Sequence, residues 1–187
     1  MCHHMSTVQR LLVFAAVLSG VGLSYGSAAA ATTRSAPTVP RACSAQHLSA
    51  TGWWEGATTS MAGSVSFTNT GTKPCSMRGY LPVTLRTKSG KALAVGVRRA
   101  GPSLLPKPVL HPRAVVLDPG SSGAASFLFQ WWNWCGPTPG PLSVHVAVSP
   151  GQSLTVQPVD AGFEGTAGCL TTRESSWMGI APIGKRQ

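Results

Sequence analysis

The chain has 187 residues, 15 lysines and arginines against 5 carboxylates, a formal net charge of +10, and 21 glycines and 15 prolines. So many helix-breaking residues exclude long helices and suit strands joined by turns. So few acids leave little material for acid–base or metal chemistry, while the positive excess favours anionic surroundings and disfavours self-association.

Residues 1–31 read as a secretory signal peptide: Arg10 supplies the positive charge, Leu11 to Gly22 the apolar run, and Ser27 to Ala31 the small residues before cleavage. The apolar run falls short of the about 20 residues needed to span a hydrocarbon core of about 30 Å. Met1 and Met5 both remain candidate starts, and His3 and His4 leave with the leader. Cys43 lies too far downstream for a lipobox. The expected product is extracellular or associated with the cell wall, with no transmembrane segment or lipid anchor. Residues 32–42, with Pro37, Pro40 and two arginines, read as a flexible linker.

A single domain is expected over residues 43–183, followed by a basic tail at 184–187. Val65 and Phe67 alternate with serines and Thr68 in a half-buried strand. Leu81, Val83 and Leu85 form the next, and Lys88-Ser89-Gly90-Lys91 turns the chain into a return strand carrying Leu93, Val95 and Val97, a hairpin. After a proline-rich crossing, Ala114 to Leu117 form a brief strand that Asp118-Pro119-Gly120 ends. Phe127, Phe129 and Trp131 share one face of the following strand. Val144, Val146 and Val148 lead through Ser149-Pro150-Gly151-Gln152 into Leu154 and Val156, a second hairpin. The segment after Cys169, with Trp177, Met178 and Ile180, reads as a last edge strand and a frayed tail. Seven to eight such strands predict an all-β, antiparallel, immunoglobulin-like sandwich, with a small closed barrel as its competitor.

Cys43, Cys75, Cys135 and Cys169 remain behind the leader, and four thiols permit three connectivities. Cys43–Cys75 and Cys135–Cys169 are preferred, because each bridge joins sequence neighbours and ties a turn to a nearby segment. There is no Cys-x-x-Cys and no histidine at finger-like spacing, so structural disulfides are expected rather than a redox or metal site.

Catalysis needs acids, bases or nucleophiles gathered together, and the sequence offers only His47, His111 and His145 with Glu55, Asp118, Asp160, Glu164 and Glu174. Asp118 belongs to a turn, His145 points out of a valine strand, and no Gly-x-Ser-x-Gly elbow is present. The chain reads as a non-enzyme, and no cofactor or metal is expected. Strand alternation places Trp132 and Trp134 opposite Trp131, on an outer face where they would stack on a sugar or anchor a partner unless an edge strand covers them. Arg78, Arg86, Lys88, Lys91, Arg98 and Arg99 make a basic ribbon along the first hairpin, suited to phosphate-rich wall polymers or anionic lipid heads. No nucleic-acid partner is expected, since no recognised motif occurs.

Cys43-Ser44-Ala45-Gln46-His47-Leu48, Phe67-Thr68-Asn69-Thr70-Gly71 with Pro74-Cys75, and Arg78-Gly79-Tyr80-Leu81-Pro82-Val83 stand in order along the chain. Leu117-Asp118-Pro119-Gly120, Trp132-Asn133-Trp134-Cys135-Gly136 and the late Cys169 follow. Together they resemble the exported actinobacterial family called domain of unknown function 4232, over about Cys43 to Cys169. The resemblance implies a secreted or wall-associated β-sandwich with two disulfides and brings no activity or catalytic residues.

The resulting expectation is a secreted, non-enzymatic binding or structural module of the cell envelope. It would contact an anionic wall polymer or an envelope protein through Arg86, Lys88, Lys91, Arg98, Trp132 and Trp134. The alternatives are a carbohydrate-binding module using exposed tryptophans, or an enzyme or metal-handling protein with an unrecognised site.

Overall fold

Alternation of apolar and polar residues becomes ten strands in the computed structural model, which describes residues 40–123, 125–140, 142–159 and 165–185. The proposed leader, most of the linker, and Asp160 and Glu164 lie outside the described residues. A single 3-10 turn, Ala45–His47, precedes β1 (Leu48–Ala57), β2 (Ser60–Asn69), β3 (Cys75–Arg78), β4 (Val83–Thr87) and β5 (Gly96–Arg99). Then come β6 (Ala114–Leu117), β7 (Ala125–Trp132), β8 (Leu142–Ser149), β9 (Gln152–Val156) and β10 (Trp177–Ile180). The count exceeds seven or eight because β1, interrupted by Gly52 and Gly56, and the four-residue β3 carry no clear apolar alternation in the sequence.

The strands form a five-stranded sheet, β1-β2-β7-β10-β5, a three-stranded sheet, β4-β8-β9, and the pair β3-β6. Every strand pairing is antiparallel except β10 with β5, which run parallel. Met61, Val65, Phe67, Phe127, Phe129, Trp131, Met178 and Ile180 of the large sheet share one core with Val83, Leu85, Val144, Val146 and Val156 of the three-stranded sheet. Met77, Val115 and Leu117 of the β3-β6 pair join the same core. The architecture is therefore all-β and sandwich-like, and each fully buried large apolar side chain contributes about 1.5–3 kcal/mol. Gly63 lets two aromatic residues meet within the large sheet. A Cβ there would lie 2.5 Å from Trp54 Cβ and 2.8 Å from Phe129 Cζ, whose rings meet edge to face at 5.9 Å.

Disulfides join Cys43 to Cys75, 32 residues apart, and Cys135 to Cys169, 34 residues apart. A buried asparagine accompanies each. Asn69 Nδ2 donates to the carbonyls of Lys73 (2.9 Å) and Leu117 (3.0 Å), and its Oδ1 accepts from Gly71 N–H (2.9 Å). Asn133 Nδ2 donates to the Thr171 (2.9 Å) and Glu174 (2.7 Å) carbonyls, while its Oδ1 accepts from Leu170 (2.8 Å) and Thr171 (2.9 Å) N–H. Asn133 has φ +56°, a left-handed conformation that asparagine tolerates better than most residues.

Four expectations need correction. The first hairpin is abortive: Lys91 closes the turn on Thr87, and Leu93 N–H still reaches Leu85 O, but beyond Arg86–Ala92 no ladder forms. Leu93 and Val95 instead turn half-buried against the core, and the chain crosses to the large sheet as β5. Second, the segment after Cys169 is no edge. β10 lies between β7 and β5, because Met178 and Ile180 are buried in the core. Third, the tail does not begin frayed at 184, since Gly184 exchanges hydrogen bonds of 2.9 and 3.0 Å with Ser126. Fourth, the linker stops short of 42: Ser76 N–H bonds Arg41 O, and Cys43 N–H bonds Ser76 O.

Asn133→Ala is expected to lower unfolding free energy by about 2–4 kcal/mol, because it orphans buried backbone groups around 170–174. Asn133→Gly, which accepts the same φ, should lose a comparable amount. Chemical denaturation with both disulfides intact measures each change. A loss confined to Asn133→Ala would assign the effect to backbone strain alone.

Candidate functional site

The residues that face away from the core come into register on three adjacent strands. Phe127, Phe129 and Trp131 of β7 point inward, leaving Leu128, Gln130 and Trp132 outward. On β10, burial of Met178 and Ile180 turns Trp177 and Gly179 outward. Trp177 is level with Trp132, and Gly179 with Gln130. On β5, Arg98 is level with Gly179.

These neighbours make one cluster. The Trp132 and Trp177 rings stack with centroids 4.1 Å apart and planes inclined by 24°, and both indoles are half-buried. The Arg98 guanidinium lies 4.6 Å from the Trp177 ring centroid. Gly179 admits the stack: a Cβ there would stand 3.3 Å from Trp132 Cζ3, tighter than ordinary contact. Ser176 fixes the register from beneath, accepting from Trp131 Nε1 (2.6 Å) and donating to the Trp132 carbonyl (3.0 Å). Gln130 Nε2 donates to Ser60 Oγ (3.1 Å) on the other flank of Trp132.

The remaining sequence candidates lie elsewhere. Trp134 does not share the Trp132 face. The left-handed Asn133 ends the alternation, and Trp134 packs beside Trp131 (5.5 Å between centroids) with its Nε1 bonded to Pro137 O at 3.0 Å. The basic ribbon is split between sheets. Lys88 and Lys91 are exposed at the turn after β4, whereas Arg98 belongs to the large sheet. Arg86 is not a freely solvated cation: it is half-buried and its Nη1 donates to Gly90 O at 2.7 Å, stapling its own turn.

His47 sits in the 3-10 turn, His111 in the crossing before β6, and His145 on β8 with Nδ1 3.3 Å from Thr155 Oγ1. Among the described residues no group of three or more histidines, cysteines or carboxylates could hold a metal ion. The sequence reading missed Trp177 as a partner of Trp132. Its only signal is a tryptophan followed by Met178 and Ile180, and nothing local reveals which strand it meets.

Arg98→Ala is expected to leave the fold intact and cost at most about 1 kcal/mol, the range of an exposed cation–π contact. Gly179→Val should do more damage by driving a branched side chain into Trp132. Near-ultraviolet circular dichroism should show the loss of indole coupling in Gly179→Val. An unchanged indole signal in that variant would refute the role assigned to Gly179.

A family model described as Domain of unknown function (DUF4232) matches residues 43–179, a span that contains both disulfides, both buried asparagines and Trp132, Trp177 and Arg98. No curated protein and no solved structure matches the chain. With most of its length covered, the described β-sandwich included, this chain belongs to the Domain of unknown function (DUF4232) family.

Proposed function

We propose that this domain is a non-enzymatic binding module of the cell envelope and that its ligand is an anionic wall polymer. The observation that carries this reading is the exposure of its positive charge. Lys73, Arg78, Lys88, Lys91, Arg98, Arg99, Lys107, Arg113, Arg173 and Lys185 all have exposed side chains on a frame closed by two disulfides. Charges so arranged raise the local concentration of a polyanion without any single tight contact. Two disulfides favour an oxidising compartment outside the cytoplasm, in keeping with the leader read at residues 1–31. Among the described residues no helix is long and apolar enough to cross a membrane. The dispersal of His47, His111 and His145 over separate elements supports a role in binding rather than catalysis.

A carbohydrate-binding reading is favoured by one observation, the half-buried Trp132–Trp177 stack on the outer face. Salt separates the two. Exposed ion pairs weaken as the Debye length contracts from about 10 Å at 0.1 M to about 3 Å at 1 M, whereas ring stacking on a neutral sugar does not.

Purified protein applied to isolated cell walls should be retained at low salt and released progressively as salt rises. The Lys88→Glu/Lys91→Glu variant should elute at lower salt than the wild type. Walls stripped of protein should retain it, and walls stripped of anionic polymer should not. Retention that ignores salt would overturn the electrostatic reading, and retention lost with the wall proteins would point to a protein partner.

A further inference from the structure

We propose that the loop between β5 and β6, residues 101–113, is a membrane-docking loop that seats on the surface of an anionic lipid bilayer. This contact is separate from the wall-polymer reading and does not depend on it. Both feet of the loop stand on one short segment. Ala114, where the loop ends, is level with Arg78, and the Tyr80 hydroxyl donates to the carbonyl of Ala100, where it begins (2.8 Å). The same hydroxyl accepts from Val109 N–H at 2.8 Å, and the Arg99 guanidinium lies 5.3 Å from the Tyr80 ring centroid. Within the loop, Gly101 N–H bonds Leu105 O (2.7 Å) and Leu104 N–H bonds Gly101 O (2.9 Å). A Cβ at Gly101 would lie 2.8 Å from Lys107 O, so the chain folds back closely on a glycine. Leu104 holds φ +61°, a conformation that leucine keeps only where its surroundings impose it.

What this bracing displays is apolar. Leu105 is 63% exposed, and Leu110, at 85%, is the most exposed large apolar side chain among the described residues. Around them the charge has one sign. Residues 96–117 contain no carboxylate, and Arg78, Arg99, Lys107 and Arg113 are all exposed at the feet of the loop or within it. The described carboxylates stand elsewhere. Glu174 lies near the opposite end of β5, where Ser176 O accepts from Gly96 N–H; Asp118 follows the far end of β6; Glu55 belongs to β1, three strands removed from β5. Leucines ringed by cations select the occupant. A wall polymer would satisfy the charge but leave the leucines in water, and a second copy of a chain carrying +10 would be repelled. A bilayer with anionic headgroups meets both needs, with the cations at headgroup level and the leucines about 5–10 Å into the acyl boundary. Pro102, Pro106, Pro108 and Pro112 suit that medium, because proline brings no N–H donor to be stripped of water. At the first foot a cavity of about 340 Å³ continues the mixture of apolar surface and cation, its lining including Pro102, Leu128, Pro182 and Lys185.

The test is flotation of the exported chain, recovered after secretion so that the leader read at residues 1–31 is absent, with two kinds of vesicle. Mixed phosphatidylglycerol–phosphatidylcholine vesicles should carry the protein, and pure phosphatidylcholine vesicles should carry it about tenfold less or weaker still. Leu105→Ser/Leu110→Ser, a change of two exposed side chains, should lower partition about tenfold or more with near-ultraviolet circular dichroism and thermal unfolding unchanged. Lys107→Glu/Arg113→Glu should lower it about fivefold or more, and Lys88→Glu/Lys91→Glu should leave it within about twofold, since those lysines stand at the turn after β4. Insertion is read directly with Leu105→Trp, whose emission should be quenched by lipids brominated on their acyl chains beyond the quenching of the wild type. Absence of flotation, equal flotation of Leu105→Ser/Leu110→Ser and wild type, or no excess quenching of Leu105→Trp would overturn the proposal. Loss of wall retention in Leu105→Ser/Leu110→Ser without any vesicle binding would overturn it in favour of a protein partner. Salt-dependent wall retention that survives Leu105→Ser/Leu110→Ser leaves the polymer reading standing whichever way flotation falls, and vesicle binding without wall retention removes that reading alone.

Discussion

The side-chain amide of Asn133 uses both of its N–H donors and two acceptor sites on the backbone of residues 170–174, in a position that is 3% exposed. Much else depends on that small set of bonds. They hold the segment after Cys169 against the end of β7, so that the chain enters β10 level with Trp132. Asn69 performs the corresponding task at the other disulfide, tying the Lys73 carbonyl and Gly71 N–H to the end of β2 and reaching Leu117 of β6. In each case a covalent bridge and a satisfied buried amide act on the same corner. The bridge restricts the unfolded chain, and the amide supplies partners that irregular backbone would otherwise lack.

From that corner the outer face of the large sheet follows. Trp132 and Arg98 stand on strands that are not neighbours, and they share a site only because β10 is inserted between them. β10 supplies the ring that touches both and the glycine over which Trp132 leans. The same insertion makes the sheet mixed, with β5 parallel to β10. The cluster is thus built on three strands of a rigid sheet, the placement that holds side chains most accurately.

Local chemistry made the strands around Phe67, Phe127 and Val144 legible, since each alternates apolar and polar residues for four positions or more. The turn at Ser149–Gln152 was legible for the same reason, through proline and glycine between two patterned runs. The fate of Leu93 and Val95 was not. Their spacing suits a return strand, yet half-burial against the core draws them out of the ladder and sends Val97 and Arg98 to the other sheet. The partnership of Trp132 and Trp177 was hidden because it is a product of strand order. Asn133 belongs to the Trp132-Asn133-Trp134-Cys135-Gly136 motif, but its partners are backbone groups, which leave no imprint on residue identity. Trp134 was misplaced because alternation was extended through a residue whose φ is positive.

Because β10 sits inside the large sheet, β5 has no place to dock until Trp177 to Ile180 arrive, although it was made some eighty positions earlier (~80 residues of chain to be closed at an entropic cost that grows only slowly with length). Until β10 is in place, Arg98 and Arg99 would stand apart from the sheet, with β7 forming its border. The charged strand finds its seat only when the final apolar strand is free. Completion of the large sheet thereby waits on a pairing between segments far apart in the chain, the kind of non-local contact that slows folding.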